Sequence, residues 1–305
     1  MSNPQISQIS KTRAWILATR PKTLPAAASP VLVGTAVAFV DHSMRFVPAL
    51  IALAGALLLQ IGANLANDLF DFQKGADSQG RMGPLRVTQE GLLSTRQVYT
   101  GMWITFALAV ICGIYLTLVS GWIIVLIGVL AILAAIAYSG GPFAYGYKGL
   151  GEIFVFIFFG FAAVCGTYYA QAVTISPLAI FSSIPVGLFI VAILVVNNLR
   201  DIKSDRASGK LTMAVRKGDL WAKQEFIGLL AFAYLVVFLL GFSNLASPWI
   251  LLSWISLPVI FPLSRSVIND RGRELNKTLA ATGQITFIFS LLYAAGLVLS
   301  VIYPI

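Results

Sequence analysis

Long apolar runs alternate with short polar segments along the chain. Nine of these runs are close to the roughly 20 residues that an α-helix needs to span the hydrocarbon core of a membrane. Pro25, Pro30 and Pro185 lie inside two of them, where proline can kink or shorten a helix. The pattern predicts an all-α polytopic membrane protein with about nine transmembrane helices in a single domain, residues 1–305. The runs lie at about 24–40, 47–70, 98–119, 121–139, 150–173, 177–199, 226–243, 247–263 and 283–303.

Composition agrees with this pattern. Hydrophobic residues make up 58% of the chain and charged residues only 11%, whereas a soluble domain carries about 25% charged residues. Residues 1–23 contain no apolar core of a secretory signal. We expect this N-terminal segment to be cytoplasmic, with a short helix at 11–20 lying in the membrane interface.

The net charge of +9 invites comparison with nucleic-acid-binding proteins, but the distribution of the charge argues against that class. If the nine runs are helices, all but one of the 21 Lys and Arg residues fall on the same side of the membrane, Arg45 being the exception. Cytoplasmic loops carry such an excess of basic residues. The charge therefore predicts an N-terminus in the cytoplasm and a C-terminus outside, and no nucleic-acid partner.

A polar stretch, residues 64–75, stands at the end of the second apolar run. Asn64, Asp68 and Asp71 follow the spacing i, i+4, i+7, so on a helix they share one face. Asn67 lies beside that face.

A second stretch, residues 197–210, repeats the arrangement. Asn197, Asp201 and Asp205 are spaced i, i+4, i+8, and a glycine again follows the last aspartate by four residues. Asp68 and Asp201 are 133 residues, or four predicted helices, apart. The two stretches suggest an internal repeat of four helices and open on the same side of the membrane.

The chemistry of these stretches favours a metal and a diphosphate. Four converging carboxylates repel one another and need a cation, and Mg²⁺ prefers a few carboxylates together with substrate phosphates. Arginine and lysine bind phosphate oxygens. The alternative is that the acids mark solvated helix ends and that the bases reflect topology alone. The candidate diphosphate ligands are Arg81, Arg86, Lys203, Arg206 and Lys210.

A third cluster, residues 138–152, is rich in glycine and aromatic residues. Glycine and proline predict a tight connection between two helices. Tyr138 has two interpretations: it anchors its helix at the membrane interface, or its π face stabilises a neighbouring carbocation.

The motifs N-D-x-x-D at 67–71 and D-x-x-x-D at 201–205 resemble those of the UbiA-type intramembrane prenyltransferase superfamily. The family's first motif often ends with another acid, where this chain has Gly75 and, two residues later, Asp77. Within the superfamily the chain most resembles the 1,4-dihydroxy-2-naphthoate polyprenyltransferases of menaquinone synthesis. The stretches that carry this narrower resemblance are 20–25, 64–68, 81–89, 140–152 and 197–202.

The resemblance implies a fold and a reaction. Nine helices would enclose a central cavity under a cytoplasmic cap of loops. The carboxylates of both motifs fall at helix ends, which disfavours a transporter, because transporter sites typically lie near the bilayer midplane. A polyprenyl group would pass from polyprenyl diphosphate to 1,4-dihydroxy-2-naphthoate, with loss of CO₂ and diphosphate, giving demethylmenaquinol. The implied Mg²⁺ ligands are Asn64, Asn67, Asp68, Asp71, Asn198, Asp201 and Asp205.

The resemblance also implies an acceptor site and a location. Arg20 or Lys22 would orient the acceptor's carboxylate, and the protein would lie in the bilayer of a bacterial inner membrane. Asp68, Asp71, Asp201, Asp205 and Tyr138 would be the catalytic residues. The alternatives are a superfamily member with another acceptor, such as 4-hydroxybenzoate, haem or glycerol phosphate, and a membrane transporter.

The charge distribution generates a prediction about topology. A cysteine label in the loop 201–225 is expected to be blocked by an impermeant reagent from the cytoplasmic side only, and one at position 245 from the outside only. Labelling of intact cells and inverted vesicles measures this. The reverse pattern would mean that the helix count near the N-terminus is off by one.

Overall fold

The computed structural model describes residues 9–75 and 82–304, and over these residues the fold is built from helices. Eight of the described segments are long and apolar enough to cross a membrane, and a ninth apolar helix is shorter. They correspond one to one to the nine predicted runs, so the predicted all-α fold is confirmed. The helices are α1 (Lys11–Thr19), α2 (Leu24–Val40), α3 (Phe46–Gln73), α4 (Thr95–Ser120), α5 (Ile123–Ala137), α6 (Gly151–Ala172), α7 (Pro177–Ala207), α8 (Met213–Lys217), α9 (Asp219–Gly241), α10 (Pro248–Asn269) and α11 (Leu275–Ile302).

Helix α7 lies at the centre of the packing. Of its most apolar stretch, 72% is buried inside the protein, the largest share among the spanning helices of the described chain. Pro185 lies within α7 and Pro30 within α2, yet both helices continue through their proline. Neighbouring helices can compensate the hydrogen bond that a proline removes.

Helices α6 and α7 cross at two glycines. A Cβ added at Gly187 would lie 3.0 Å from the Cα of Gly160, so only residues without a side chain permit this approach. Gly160 belongs to a π-helical turn, Phe156–Ala162, inside α6. Phe158 and Phe159 of that turn line the central cavity.

Helices α3 and α7 extend beyond their apolar runs. The two polar motifs lie in the C-terminal parts of these helices. Gly75 follows α3 with φ of 66°, and Gly209 follows α7 with φ of 74°. A left-handed residue just past a helix end is most often glycine, because it has no Cβ to clash. The glycine that follows each motif therefore ends its helix.

A loop segment, residues 82–88, covers the polar end of the cavity, and we call it the roof segment. The Met82 carbonyl accepts a hydrogen bond from Asn276 Nδ2 of α11 at 2.8 Å. At the other end, the Asp68 carboxylate of α3 accepts from the backbone N–H groups of Val87 and Thr88, each at 3.2 Å. The roof segment is thus tied to two helices.

These contacts predict a role for Asp68 in ordering the roof segment. Asp68→Ala removes both acceptors, and hydrogen bonds to charged groups stabilise by about 1.5–3 kcal/mol each. Amide hydrogen exchange at Val87 and Thr88 is therefore expected to quicken by about tenfold or more. Asp219→Ala, which removes a carboxylate of α9 that pairs with Lys223, serves as the control. Unchanged exchange at both amides in Asp68→Ala would contradict this role.

Candidate active site

A cavity of about 730 Å³ lies between α2, α3, α4, α5, α6, α7 and α11. Most of its wall is apolar, and one end, under the roof segment, is polar. The polar end brings together both sequence motifs, although they are far apart in the chain. Its wall includes Asn64, Asn67, Asp71, Asn197, Asp201, Asp205 and Lys210.

Asp71 is the carboxylate that α3 contributes to the cavity wall. It is buried, and its Oδ2 forms an ion pair with Arg86 of the roof segment at 2.6 Å. Its Oδ1 accepts a hydrogen bond from the Tyr147 hydroxyl at 2.9 Å. One turn earlier, Asn67 Oδ1 accepts from Ser139 at 3.1 Å.

Asp68 faces a different direction. Successive residues are about 100° apart around a helix, so Asp68 points well away from Asn67 beside it. The described residues that line the cavity do not include Asp68, whose carboxylate lies against the roof segment. Its assignment to the metal remains a prediction from the sequence.

Asn64 lies on the cavity wall but is engaged by the turn between α1 and α2. Its Nδ2 donates to the Thr19 carbonyl and to the Thr23 hydroxyl, each at 3.0 Å. That turn carries Arg20 and Lys22, and both line the cavity. The two candidate acceptor-binding residues therefore lie beside the first motif.

On α7, Asp201 forms a two-point ion pair with its neighbour in the chain. Arg200 Nε donates to Oδ1 at 2.8 Å and its terminal nitrogen donates to Oδ2 at 2.5 Å. The same guanidinium donates to Asn197 and to Asn276. Because Asn276 also holds Met82, this network links the second motif to the roof segment.

Asp205 lies one turn further along α7, and Lys210 Nζ is 3.9 Å from its Oδ1. Both residues are buried. The backbone N–H of Lys210 donates to the Asp205 carbonyl at 2.8 Å. The chain therefore turns back after α7, and Lys210 lies beside Asp205.

The oxygen donors of the wall suit a hard cation such as Mg²⁺. Asp71, Asp201 and Asp205 supply carboxylates, and Asn67 supplies an amide. Within the described chain, no three His, Cys, Asp or Glu side chains are close enough together to hold a metal by themselves. The arrangement fits an ion that takes one or two carboxylates and completes its coordination with substrate phosphates and water.

Three other predicted ligands, Lys203, Arg206 and Asn198, are described by the structure and do not line the cavity. Lys203 and Arg206 are exposed on α7, where Arg206 donates to the Val215 carbonyl at 3.4 Å. Asn198 is buried and donates to Glu152 at 2.9 Å. Arg81, like Asp77, lies outside the described residues.

Aromatic rings form the wall next to the polar end. Tyr138 packs edge-on against Tyr145 at 5.4 Å between centroids, and Tyr145 stacks on Phe154 at 4.1 Å. Lys210 Nζ is 5.8 Å from the centroid of the Tyr138 ring. Burial, together with the nearby Glu152 and Asp71 charges, raises the pKa of the Tyr138 phenol, which therefore stays protonated at neutral pH.

Sequence reasoning missed four polar residues of this site. Arg200 stands inside the N-N-L-R-D stretch, but the excess of basic residues on the cytoplasmic side accounts for its charge equally well. Tyr147 and Ser139 belong to the glycine-rich cluster, which drew attention to Tyr138 alone. Asn276 has no motif around it, so only the fold places it at the cavity.

The chain matches known proteins over nearly its whole length. The sequence profile of the UbiA prenyltransferase family matches residues 27–291. A protein of Mycobacterium tuberculosis named 1,4-dihydroxy-2-naphthoate octaprenyltransferase is 38% identical over 284 residues, which are 93% of this chain and 96% of the relative. A protein of the same name from Escherichia coli is 38% identical over 302 residues, 96% of this chain and 97% of the relative.

A solved structure described as a UbiA homolog from Archaeoglobus fulgidus bound to GPP and Mg²⁺ shares the fold. It is 16% identical, with a TM-score of 0.62, and the match covers 93% of this chain and 99% of that chain. The profile match, the curated relatives and the two aspartate motifs around one cavity together show that this chain belongs to the UbiA prenyltransferase family.

Proposed function

We propose that the protein transfers a polyprenyl group from polyprenyl diphosphate to 1,4-dihydroxy-2-naphthoate, with loss of CO₂ and diphosphate. The observation that carries the proposal is the convergence of Asp71, Asp201 and Asp205 with Arg86 and Lys210 at the polar end of an apolar cavity. The names of the relatives from M. tuberculosis and E. coli support this acceptor. The product would be demethylmenaquinol.

The polar end would bind the diphosphate of the donor. Asp71, Asp201 and Asp205 would hold Mg²⁺, with Asn67 as a further oxygen donor. The ion, when bound, would neutralise negative charge that develops on the leaving diphosphate. Arg86 and Lys210 lie against these carboxylates and would offer N–H donors to the same phosphate oxygens.

The apolar part of the cavity would hold the isoprenoid chain next to the aromatic wall. Tyr138 lies where the polar end meets that wall, and its protonated phenol leaves the ring neutral. When the bond between the donor's C1 and the diphosphate breaks, the π face of Tyr138 would stabilise the allylic cation. An apolar environment also keeps water from capturing the cation.

The acceptor would enter with its carboxylate toward Arg20 and Lys22. The ring carbon that bears the carboxylate would form the new C–C bond to the donor's C1. The C–CO₂ bond would then break, its electrons returning to the ring, so that CO₂ and diphosphate are the two products besides the prenylated quinol. A guanidinium suits this orientation because it can donate two parallel hydrogen bonds to a carboxylate.

We further propose that the protein lies in a bacterial inner membrane, with its N-terminus cytoplasmic and C-terminus outside. This orientation is supported by the charge distribution along the chain. It would place the polar end of the cavity at the cytoplasmic face, where soluble acceptors and Mg²⁺ are available.

The function is tested with purified protein in detergent or vesicles. Protein, Mg²⁺, a polyprenyl diphosphate and one acceptor at a time are incubated, and products are identified by mass. We expect a prenylated naphthoquinol that has lost the mass of CO₂ with 1,4-dihydroxy-2-naphthoate. If product forms only with 4-hydroxybenzoate, a haem or glycerol phosphate, the acceptor assignment is wrong. The proposed binding site for the donor diphosphate would still stand.

Two substitutions test the diphosphate site. Asp71→Asn and Asp201→Asn keep the size and some hydrogen bonding of each side chain and remove its charge. Turnover at saturating substrates is expected to fall by about a hundredfold or more, the scale of several kcal/mol of lost transition-state stabilisation. Asp219→Asn is the matched control, and gel filtration verifies folding. Turnover near the wild-type value in either variant would remove that residue from the site.

Substitutions at Tyr138 distinguish stabilisation of the cation by its ring from a role in packing alone. A cation–π contact in a desolvated site contributes about 2 kcal/mol, or roughly thirtyfold in rate. Tyr138→Leu is therefore expected to lower kcat by more than about tenfold with little change in the KM for the donor. Tyr138→Phe keeps the ring and should fall between Leu and the wild type. A Leu variant within about twofold of the wild type would show that the ring takes no part in the reaction.

A further inference from the structure

The loop that joins α5 to α6, residues 138–150, lies beside the polar end of the cavity, and we call it the α5–α6 loop. It contains a short helical turn, Tyr145–Lys148. Tyr147 stands in this turn and is partly buried, but it is not among the described residues that line the cavity. The proposed reaction uses Tyr138 of this loop and leaves Tyr147 without a role.

Two hydroxyl groups of the α5–α6 loop bond to the first motif. The Tyr147 hydroxyl lies 2.9 Å from Asp71 Oδ1, and because an ionised carboxylate can only accept, the hydroxyl is the donor. The Ser139 hydroxyl donates to Asn67 Oδ1 at 3.1 Å. The loop therefore reaches two oxygen-bearing side chains of α3 that line the cavity.

Tyr147 also contacts the segment that follows the second motif. Its carbonyl accepts from the backbone N–H of Leu211 at 2.9 Å, and its ring centroid lies 5.5 Å from Lys210 Nζ. Lys74, which follows the first motif, places its Nζ 4.6 Å from the same centroid. One residue thus touches both halves of the site, which come from helices far apart in the chain.

The two oxygens of Asp71 are held by two different elements. Arg86 of the roof segment donates to Oδ2 at 2.6 Å, and Tyr147 donates to Oδ1 at 2.9 Å. The terminal torsion of an aspartate is only weakly restricted by itself, so these donors set the direction in which the carboxylate faces. Carboxylates that bind metals are commonly held by such hydrogen bonds, and losing one typically costs about 10–100-fold in metal affinity.

We propose that Tyr147 is a positioning residue for the metal: its hydroxyl holds Asp71 in the orientation that binds Mg²⁺. The inference rests on the proposed function and adds to it a residue outside the cavity wall. A phenol is neutral at neutral pH. Unlike the Arg86 guanidinium, Tyr147 therefore orients the carboxylate without opposing the charge of an incoming cation.

Tyr147→Phe removes the hydroxyl and keeps both the ring and the backbone contact to Leu211. Mn²⁺, which suits the same oxygen ligands as Mg²⁺, is the probe. The protein is titrated with Mn²⁺ in the presence of a non-reactive polyprenyl diphosphate analogue, and free Mn²⁺ is measured by electron paramagnetic resonance. We expect the Kd for Mn²⁺ to rise by about tenfold or more in Tyr147→Phe.

Tyr99→Phe, at a tyrosine of α4 that is 50% exposed, is the matched control and should bind Mn²⁺ like the wild type. A Kd for Tyr147→Phe within about twofold of the wild-type value, or an equal loss of affinity in both variants, would overturn the proposal.

A double-mutant cycle tests whether the hydroxyl acts through Asp71. In the Asp71→Asn background, Tyr147→Phe should change the Kd for Mn²⁺ by less than about twofold, because the charged ligand that the hydroxyl orients is gone. In the Asp205→Asn background, Asp71 and its hydrogen bond to Tyr147 remain, so the full factor should persist. The full factor in both backgrounds would show that Tyr147 acts elsewhere.

Steady-state kinetics separate positioning from a direct part in the reaction. Tyr147→Phe should raise the Mg²⁺ concentration for half-maximal rate by about tenfold or more, while kcat at saturating Mg²⁺ stays within about threefold of the wild type. Normal Mn²⁺ binding combined with a low kcat at saturating Mg²⁺ would place the hydroxyl in the reaction itself and end the positioning role.

The binding experiment needs no acceptor, so this inference and the proposed function can fail separately. If the wild type binds Mn²⁺ but forms no naphthoate product, the acceptor assignment fails, and the comparison of Kd values still decides the role of Tyr147. If product forms and Tyr147→Phe binds Mn²⁺ like the wild type, the positioning role fails alone. If the wild type binds no Mn²⁺ with the analogue, the proposed metal site and this role are both wrong.

Discussion

Carboxylates at the end of an apolar cavity need positive charge beside them, and this requirement organises the site. A carboxylate away from water carries a desolvation cost of several kcal/mol unless it is paired. Asp71 lies against Arg86, Asp201 against Arg200, and Asp205 close to Lys210. Each pair joins the motif to a different neighbour: the roof segment, the same helix, or the segment that follows α7.

The same pairs bear on the proposed function. Asp71, Asp201 and Asp205 would hold Mg²⁺, and Arg86 and Lys210 would contact the phosphate oxygens of the donor. Both bases lie at the polar end of the cavity beside these carboxylates.

Helix α3 distributes its polar residues among three neighbours. Asn64 holds the turn that carries Arg20 and Lys22, Asp68 holds the roof segment, and Asp71 faces the cavity. Because these three residues lie within about 60° of one another around the helix, one face of α3 contacts three boundaries of the cavity. In the sequence, the polar residues of this motif look like equivalent ligands. In the fold, each of them contacts a different part of the protein.

The aromatic wall complements this polar end. The π-helical turn in α6 and the Gly160–Gly187 crossing bring Phe158 and Phe159 to the cavity, in line with Tyr138 and Phe154. A π-helical turn adds one residue to a helix and so changes which side chains face inward. The cavity wall therefore combines charged, aromatic and aliphatic side chains, which suits the proposed donor with its diphosphate head and isoprenoid chain.

The sequence by itself determined the number and order of the spanning helices, because runs of about 20 apolar residues have one stable form in a bilayer. It also located the two motifs, the glycine-rich cluster and the family. It could not decide which polar side chain faces which neighbour. Helical periodicity places Asn64, Asp68 and Asp71 on one side of α3, but whether that side meets the cavity, the roof segment or another turn depends on packing between distant segments. Only the tertiary structure brought Arg200 to Asn276 and Asn276 to Met82, because those contacts depend on how α7, α11 and the roof segment pack rather than on any local pattern.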